Sequence, residues 1–203
     1  LCLLLPLALA ACGAEPKWAP DADVQRAYYH HPGPATITLF TAINNRSGEG
    51  AHSGLMISGG ERILFDPAGT WWHQSVPERN DVHYGITPGI EQWYINYHAR
   101  ETFHVVKQEI VVTPEVAALA AQKAKAYGAV PKAMCANSVS TILGGLPGFE
   151  GLGHSYFPGR LMRKFGELPG VHEEYYFDND NTNHSVMMTK AQAMRLPPYS
   201  DAR

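Results

Sequence analysis

Three residues of this chain have the types and spacing for acyl-transfer chemistry: Cys135, His52 and Asp66. Cys135 opens the run Cys135-Ala136-Asn137-Ser138-Val139-Ser140-Thr141-Ile142-Leu143, which Gly144-Gly145 stops. Val139, Ile142 and Leu143 share one helical face. Pro131 lies four residues before Cys135, so the thiol falls in the first turn of the helix. There the positive end of the helix dipole and unpaired backbone N–H groups favour the thiolate, which is the nucleophile. The same N–H groups can hold the oxyanion of a tetrahedral intermediate. A cysteine nucleophile also needs a base and a group that orients the base. His52 is the candidate base, in the short apolar strand Ala51-His52-Ser53-Gly54-Leu55-Met56-Ile57 behind Gly50. The turn at 58–61 folds the next strand back and carries Asp66 across the hairpin from His52. A carboxylate there raises the pKa of the imidazole and fixes its tautomer.

Each residue alone has a plainer reading. A lone cysteine is most often a buried small hydrophobe, a strand histidine is often a satisfied core residue, and Asp66-Pro67 is a common strand-end turn. His154, in Gly151-Leu152-Gly153-His154, is a reserve base, while His98 and His104 read as structural. Asp178-Asn179-Asp180-Asn181-Thr182 looks like the start of a calcium loop, but Asn183 and Thr189 stand where an EF-hand needs Gly and Glu. His30-His31 reads as a solvated pair. No His-Glu-x-x-His pattern occurs, and Cys135 has no cysteine partner at zinc spacing. There is no Gly-x-Ser-x-Gly, no phosphate-binding glycine loop and no dinucleotide fingerprint. Neither a metal nor a cofactor is expected.

The elements that must position these residues follow from pattern. Ala35-Thr36-Ile37-Thr38-Leu39-Phe40-Thr41-Ala42-Ile43 is a strand rich in β-branched residues. With 51–57 and Arg62-Ile63-Leu64-Phe65-Asp66 it makes an antiparallel meander. Residues 67–100 are irregular, and Trp71-Trp72, Trp93, Tyr94 and Tyr97 either wall a cleft or fill the core. Another strand spans 103–112. Thr113-Pro114 then starts a helix, with Thr113 as N-cap and Pro in the first turn, and Gly128 ends it. A short helix is expected at 160–165, and strands at 175–177 and 185–188. The predicted fold is α+β, an antiparallel sheet of about five strands packed against two or three helices.

The order of a histidine strand, a turn, a polar residue about a dozen positions on, and a late cysteine at a helix start resembles the circularly permuted papain-fold hydrolases. This is the permuted branch of the NlpC-type superfamily, which includes lecithin–retinol acyltransferase. The resemblance covers residues 35–165. It implies a permuted papain-like fold with His52 as base, Asp66 as the orienting third residue and Cys135 as nucleophile. Met134 stands where many family members have Asn before the cysteine, and the third residue in that branch is often His, Gln or Asn.

The 203 residues, 45% hydrophobic and 17% charged, suit one globular domain and exclude disorder as the main state. Lys+Arg is 16 against Asp+Glu 19, so no basic excess points to nucleic acid. The uncharged run Leu1-Cys2-Leu3-Leu4-Leu5-Pro6-Leu7-Ala8-Leu9-Ala10-Ala11 is too short to span a bilayer. It reads as part of a signal peptide. Cys12 directly after Leu9-Ala10-Ala11 looks like a lipobox cysteine that becomes acylated, with a chance cysteine as the alternative. Gly13 after it favours the outer membrane, facing the periplasm. Residues 12–34, rich in proline, then read as a lipidated tether, and 35–203 as the single domain. With Cys12 acylated, Cys135 is the one remaining thiol and has no internal partner. The expected function is hydrolysis or transfer at an amide, ester or thioester through a Cys135 acyl-enzyme. Location suggests cell-wall peptide or a lipid-linked acyl group as substrate. The alternative is a non-catalytic envelope lipoprotein that binds a partner with the same fold.

Overall fold

The computed structural model describes residues 13–178. Cys12 and the signal-like run, most of the candidate calcium loop and the strand expected at 185–188 lie outside the described residues. A short helix α1 (Asp21–Arg26) precedes strands β1 (Thr36–Asn44), β2 (Gly50–Ser58) and β3 (Arg62–Phe65). Two very short strands follow, β4 (Glu78–Arg79) and β5 (Val82–Tyr84), then helix α2 (Pro88–His98) and strand β6 (Phe103–Val111). Helices α3 (Pro114–Tyr127), α4 (Cys135–Gly144) and α5 (Pro158–Gly166) lead to strand β7 (His172–Tyr176), with a 3-10 turn at Glu150–Leu152. The strands form one antiparallel sheet in the order β4-β5-β3-β2-β1-β6-β7.

The α+β class is as expected, but among the described residues the sheet has seven strands rather than about five, and there are five helices rather than two or three. The difference lies mainly in 67–100. β4 and β5 have two and three residues, too few to show a period-2 alternation. α2 does carry a start signal, since Thr87 accepts a hydrogen bond from the Ile90 N–H and Pro88 follows it. Its apolar and aromatic residues are spread round the helix, so no clean stripe marks it. Part of the proline-rich stretch at 13–34 is also tied down. The Ala19 N–H donates to the Glu78 carbonyl, Arg79 lies over the Trp18 ring, and Arg62 N–H donates to the Tyr29 carbonyl.

Alternation along the strands divides the core in two. Ile37, Leu39, Leu55, Ile57, Ile63 and Phe65 point to the side covered by α3, α4 and α5. Phe40, Met56 and Leu64 point to the other side, against Trp71 and the α2 residues Ile90, Tyr94 and Ile95. Burial on both faces explains why the central strands read as nearly continuous apolar runs. α2 is held to the sheet by charge as well. Glu91 accepts from Arg62 at 2.6 Å and pairs with Lys107 at 2.7 Å, which ties the helix to β3 and β6 together.

Two local features shape the ground around His52. Ala42 pairs with His52 but Ile43 pairs with Gly50, so Ala51 is an extra residue, a β-bulge that re-aims the start of β2. Immediately before it, Gly50 touches the first turn of α5. A Cβ on Gly50 would fall 2.3 Å from the backbone nitrogen of Gly159 and 2.9 Å from its Cα. Backbone cannot yield as a side-chain tip does, so Gly50→Ala must push α5 off the strand. Overpacking of this kind costs about 1–3 kcal/mol. The expected result is a lower urea midpoint with an unchanged slope, and a stability equal to the parent's would show that α5 does not seat on Gly50.

Candidate active site

Cys135 begins α4 after a sharp backbone reversal at Ala133, whose φ of 66° lies in the left-handed region. Met134 occupies the N-cap and gives the helix no side-chain cap. The first-turn N–H groups are therefore not blocked by a capping side chain. The thiol is 7% exposed. β3 pairs with β2 only over 55–58, and Asp66-Pro67 turns away, which leaves the beginning of β2 uncovered on that side. The N-terminus of α4 docks there. The His52 ring and the backbone N–H groups of Ser53 and Ala136 are the groups whose proximity favours a charge on the sulfur. Burial alone would push the thiol up, but the His52 contact and these N–H groups outweigh it and hold the pKa below the ordinary cysteine value.

His52 faces Asp66 as well as Cys135. Its Nε2 lies 2.6 Å from Asp66 Oδ1, with the imidazole 18% exposed and the carboxylate fully buried. Nδ1 is then the ring nitrogen on the sulfur side. Burial opposes a charge on His52, but the Asp66 carboxylate overrides it and raises the pKa to about 10. Asp66 shows the reverse: burial favours the neutral acid, and the imidazolium of His52 holds the group well below the usual carboxylate range. Tyr94 O–H donates to the same Oδ1 at 2.7 Å. Burial and the neighbouring carboxylate both raise the Tyr94 phenol, so it remains a donor. Two glycines make this cluster possible. A Cβ at Gly54 would sit 2.2 Å from the Tyr94 hydroxyl, and one at Gly69 would sit 1.8 Å from Asp66 Oδ2.

The structure thus brings the three sequence-predicted residues together on β2, the end of β3 and the start of α4. His154 goes elsewhere: its Nε2 lies 2.9 Å from Thr141 Oγ1 and 3.3 Å from Asn137 Nδ2, further along α4. His104 meets the Asn45 carboxamide oxygen at 2.7 Å, and His30 meets the Gly59 carbonyl. His98, read from sequence as structural, instead lies in the site. Its ring is parallel to His52 within 4°, with centroids 5.4 Å apart, and its Nδ1 is 3.0 Å from the Tyr94 carbonyl. Tyr94 and His98 are four apart on α2 and so share a face, the only signal that could have linked them.

Asp81 is the second residue that sequence reasoning missed. Its backbone carbonyl accepts the Asp66 N–H at 2.9 Å. Its carboxylate Oδ2 accepts the Val130 N–H at 2.8 Å and the Ala68 N–H at 3.4 Å. One side chain therefore ties the loop that follows Asp66 to the segment that leads into Cys135. Asp81 adopts φ 67° in the tight turn between β4 and β5, a conformation that Asp and Asn tolerate best after Gly. Asp81→Gly keeps that backbone and removes the acceptor, leaving a buried N–H at Val130. The loss expected in urea unfolding is about 2–4 kcal/mol, from two bonds to a charged acceptor, with slower alkylation of Cys135 in the still-folded protein. Asp81→Asn keeps an acceptor and should recover most of both. Unchanged Cys135 reactivity in Asp81→Gly would show that the two segments hold their places without this tie.

Comparison with protein-family models, with curated proteins and with solved structures finds no match to this chain. The chemistry must therefore be argued from the geometry. A buried thiol with a lowered pKa, an imidazole that interacts with both that thiol and a buried carboxylate, and N–H groups at a helix start can together form and cleave a thioester.

Proposed function

We propose that this protein is a thiol hydrolase or acyltransferase that works through a Cys135 acyl-enzyme. One observation carries the reading: His52 is bonded to the buried Asp66 carboxylate at 2.6 Å and interacts with the Cys135 thiol, raising its own pKa and lowering that of the thiol. The order of these residues along the chain supports a relation to the permuted papain-like hydrolases. The lipobox-like Cys12 supports a lipid-anchored place at the outer membrane, facing the periplasm, where cell-wall peptides and lipid-linked acyl groups are the substrates at hand.

The resting state is a thiolate–imidazolium pair. The Cys135 thiolate attacks the carbonyl carbon of an amide, ester or thioester. The C=O electron pair moves to oxygen, and N–H groups at the start of α4 stabilise that charge. The tetrahedral intermediate collapses, the bond to the leaving group breaks, and His52 gives its Nδ1 proton to the departing nitrogen, oxygen or sulfur. Water, or a second acceptor in a transferase, then loses a proton to His52 and attacks the thioester. Expulsion of the thiolate completes the cycle. Asp66 keeps Nε2–H in place and stabilises the imidazolium; it does not take the proton.

The charge states fix the pH dependence. Activity requires thiolate, so it rises with pH through the Cys135 pKa, which His52 holds below the ordinary cysteine value. It requires imidazolium, so it falls as pH passes the His52 value of about 10. Asp66→Asn removes the carboxylate that raises His52, so the alkaline limb should move down toward the ordinary histidine range. His52→Ala should abolish turnover and move the iodoacetamide profile of Cys135 upward, because burial then acts on the thiol without a cation beside it. A Cys135 that titrates at the free value in the parent, with no change in His52→Ala, would overturn the reading.

A further inference from the structure

We propose that His52, Asp66 and His98 form a binding site for one divalent transition-metal ion of the zinc class. One ligand atom from each, a ring nitrogen from either histidine and a carboxylate oxygen from Asp66, all lie within 4.8 Å of one another. Donors around a tetrahedral zinc ion, at about 2.0–2.1 Å from the metal, are separated by about 3.3 Å. The widest gap therefore closes by about 1.5 Å at most, while the 2.6 Å contact between His52 Nε2 and Asp66 Oδ1 opens by about 0.7 Å to admit the ion. His98 is the half-buried member of the set, on the last turn of α2, and a small shift of that turn brings its ring closer.

The surroundings match those of a metal site. The His98 Nδ1–H is directed at the Tyr94 carbonyl at 3.0 Å. Metal-binding histidines commonly hold their second N–H on such an acceptor, which fixes the tautomer and leaves Nε2 to ligate. Tyr94 O–H orients the Asp66 carboxylate through Oδ1. Asp66 Oδ2 is buried and has no hydrogen-bond partner among the described residues, so the carboxylate has coordinating capacity that the protein does not use. Two imidazoles with one carboxylate suit zinc or a neighbouring first-row ion. The ligands stand 14 and 32 positions apart in sequence, so no short spacing signals them.

The ion and the thiol chemistry share His52. A metal on Nε2 replaces the proton that His52 holds against Asp66 and removes the imidazolium from beside Cys135, so bound zinc should shield the thiol from alkylation. That consequence rests on the acyl-enzyme reading; binding itself does not.

Titration of the metal-free full chain with zinc chloride in a calorimeter, and with cobalt chloride by visible absorption, tests the site. The expected result is one ion per chain, with the same affinity in Cys135→Ala. His98→Phe keeps a ring against His52 and Tyr94 but has no ligand atom, and should weaken binding by at least about tenfold. His98→Ala provides the same test should the larger ring disturb the helix. Absence of binding in the parent, full affinity in both His98 variants, or loss of binding in Cys135→Ala would overturn the proposal, the last by placing zinc on the thiol. Alkylation of Cys135 in the metal-free parent reports separately on the acyl-enzyme reading, so the two can fail independently.

Discussion

The fold around this site is organised by one buried carboxylate. Asp66 has no exposed side-chain surface. An ionised carboxylate out of water is stable only with an opposite charge and hydrogen-bond donors around it. Oδ1 receives two donors, the imidazole of His52 and the hydroxyl of Tyr94, at 2.6 and 2.7 Å. Those contacts require Tyr94 to reach over β2, which only a glycine at 54 permits, and a backbone at 69 with no side chain. They also require α2 to stay on the sheet, where the Arg62–Glu91–Lys107 cluster holds it.

The same pair sets the character of the thiol. A free imidazole beside Cys135 would compete weakly for its proton. Held by Asp66, His52 has its pKa raised to about 10 and lowers that of Cys135, so the pair is shifted toward imidazolium and thiolate. The helix start adds fixed N–H dipoles to that field. The bulge at Ala51 matters because it sets where His52 points along an otherwise regular strand. Orientation here is a property of the backbone register rather than of side-chain packing alone.

Much of this was legible in the sequence because it is local. A cysteine just after Pro131 and before a helical face, a histidine among glycines on a strand, and an Asp-Pro at the end of the next strand are readable from neighbours alone. The long strands and α3 were readable for the same reason, with Thr113-Pro114 and Gly128 marking the ends of the helix. α2 was not, because its aromatic and polar residues surround the axis. Its role emerges only when Tyr94 meets Asp66, 28 positions earlier, and His98 meets His52, 46 positions earlier. Asp81 was hidden in the same way. It reaches a loop 13 residues before it and a segment 49 residues after it, and nothing in Asn80-Asp81 as a turn distinguishes it from a solvent-facing one. The lone cysteine alone was ambiguous between core and nucleophile, and the structure shows it nearly buried at the start of α4, with His52 among the groups that lower its pKa.

The central claim is that Cys135 forms a covalent acyl-enzyme with His52 as its proton carrier. The most direct measurement is intact-protein and peptide mass spectrometry after a brief exposure to a p-nitrophenyl acyl ester at neutral pH, quenched in acid. The account predicts one acyl group on the peptide that contains Cys135, disappearing with time in the parent and failing to form at comparable rate in His52→Ala. Acylation spread over lysines with none on Cys135, or a Cys135 adduct that forms equally fast without His52, would contradict it.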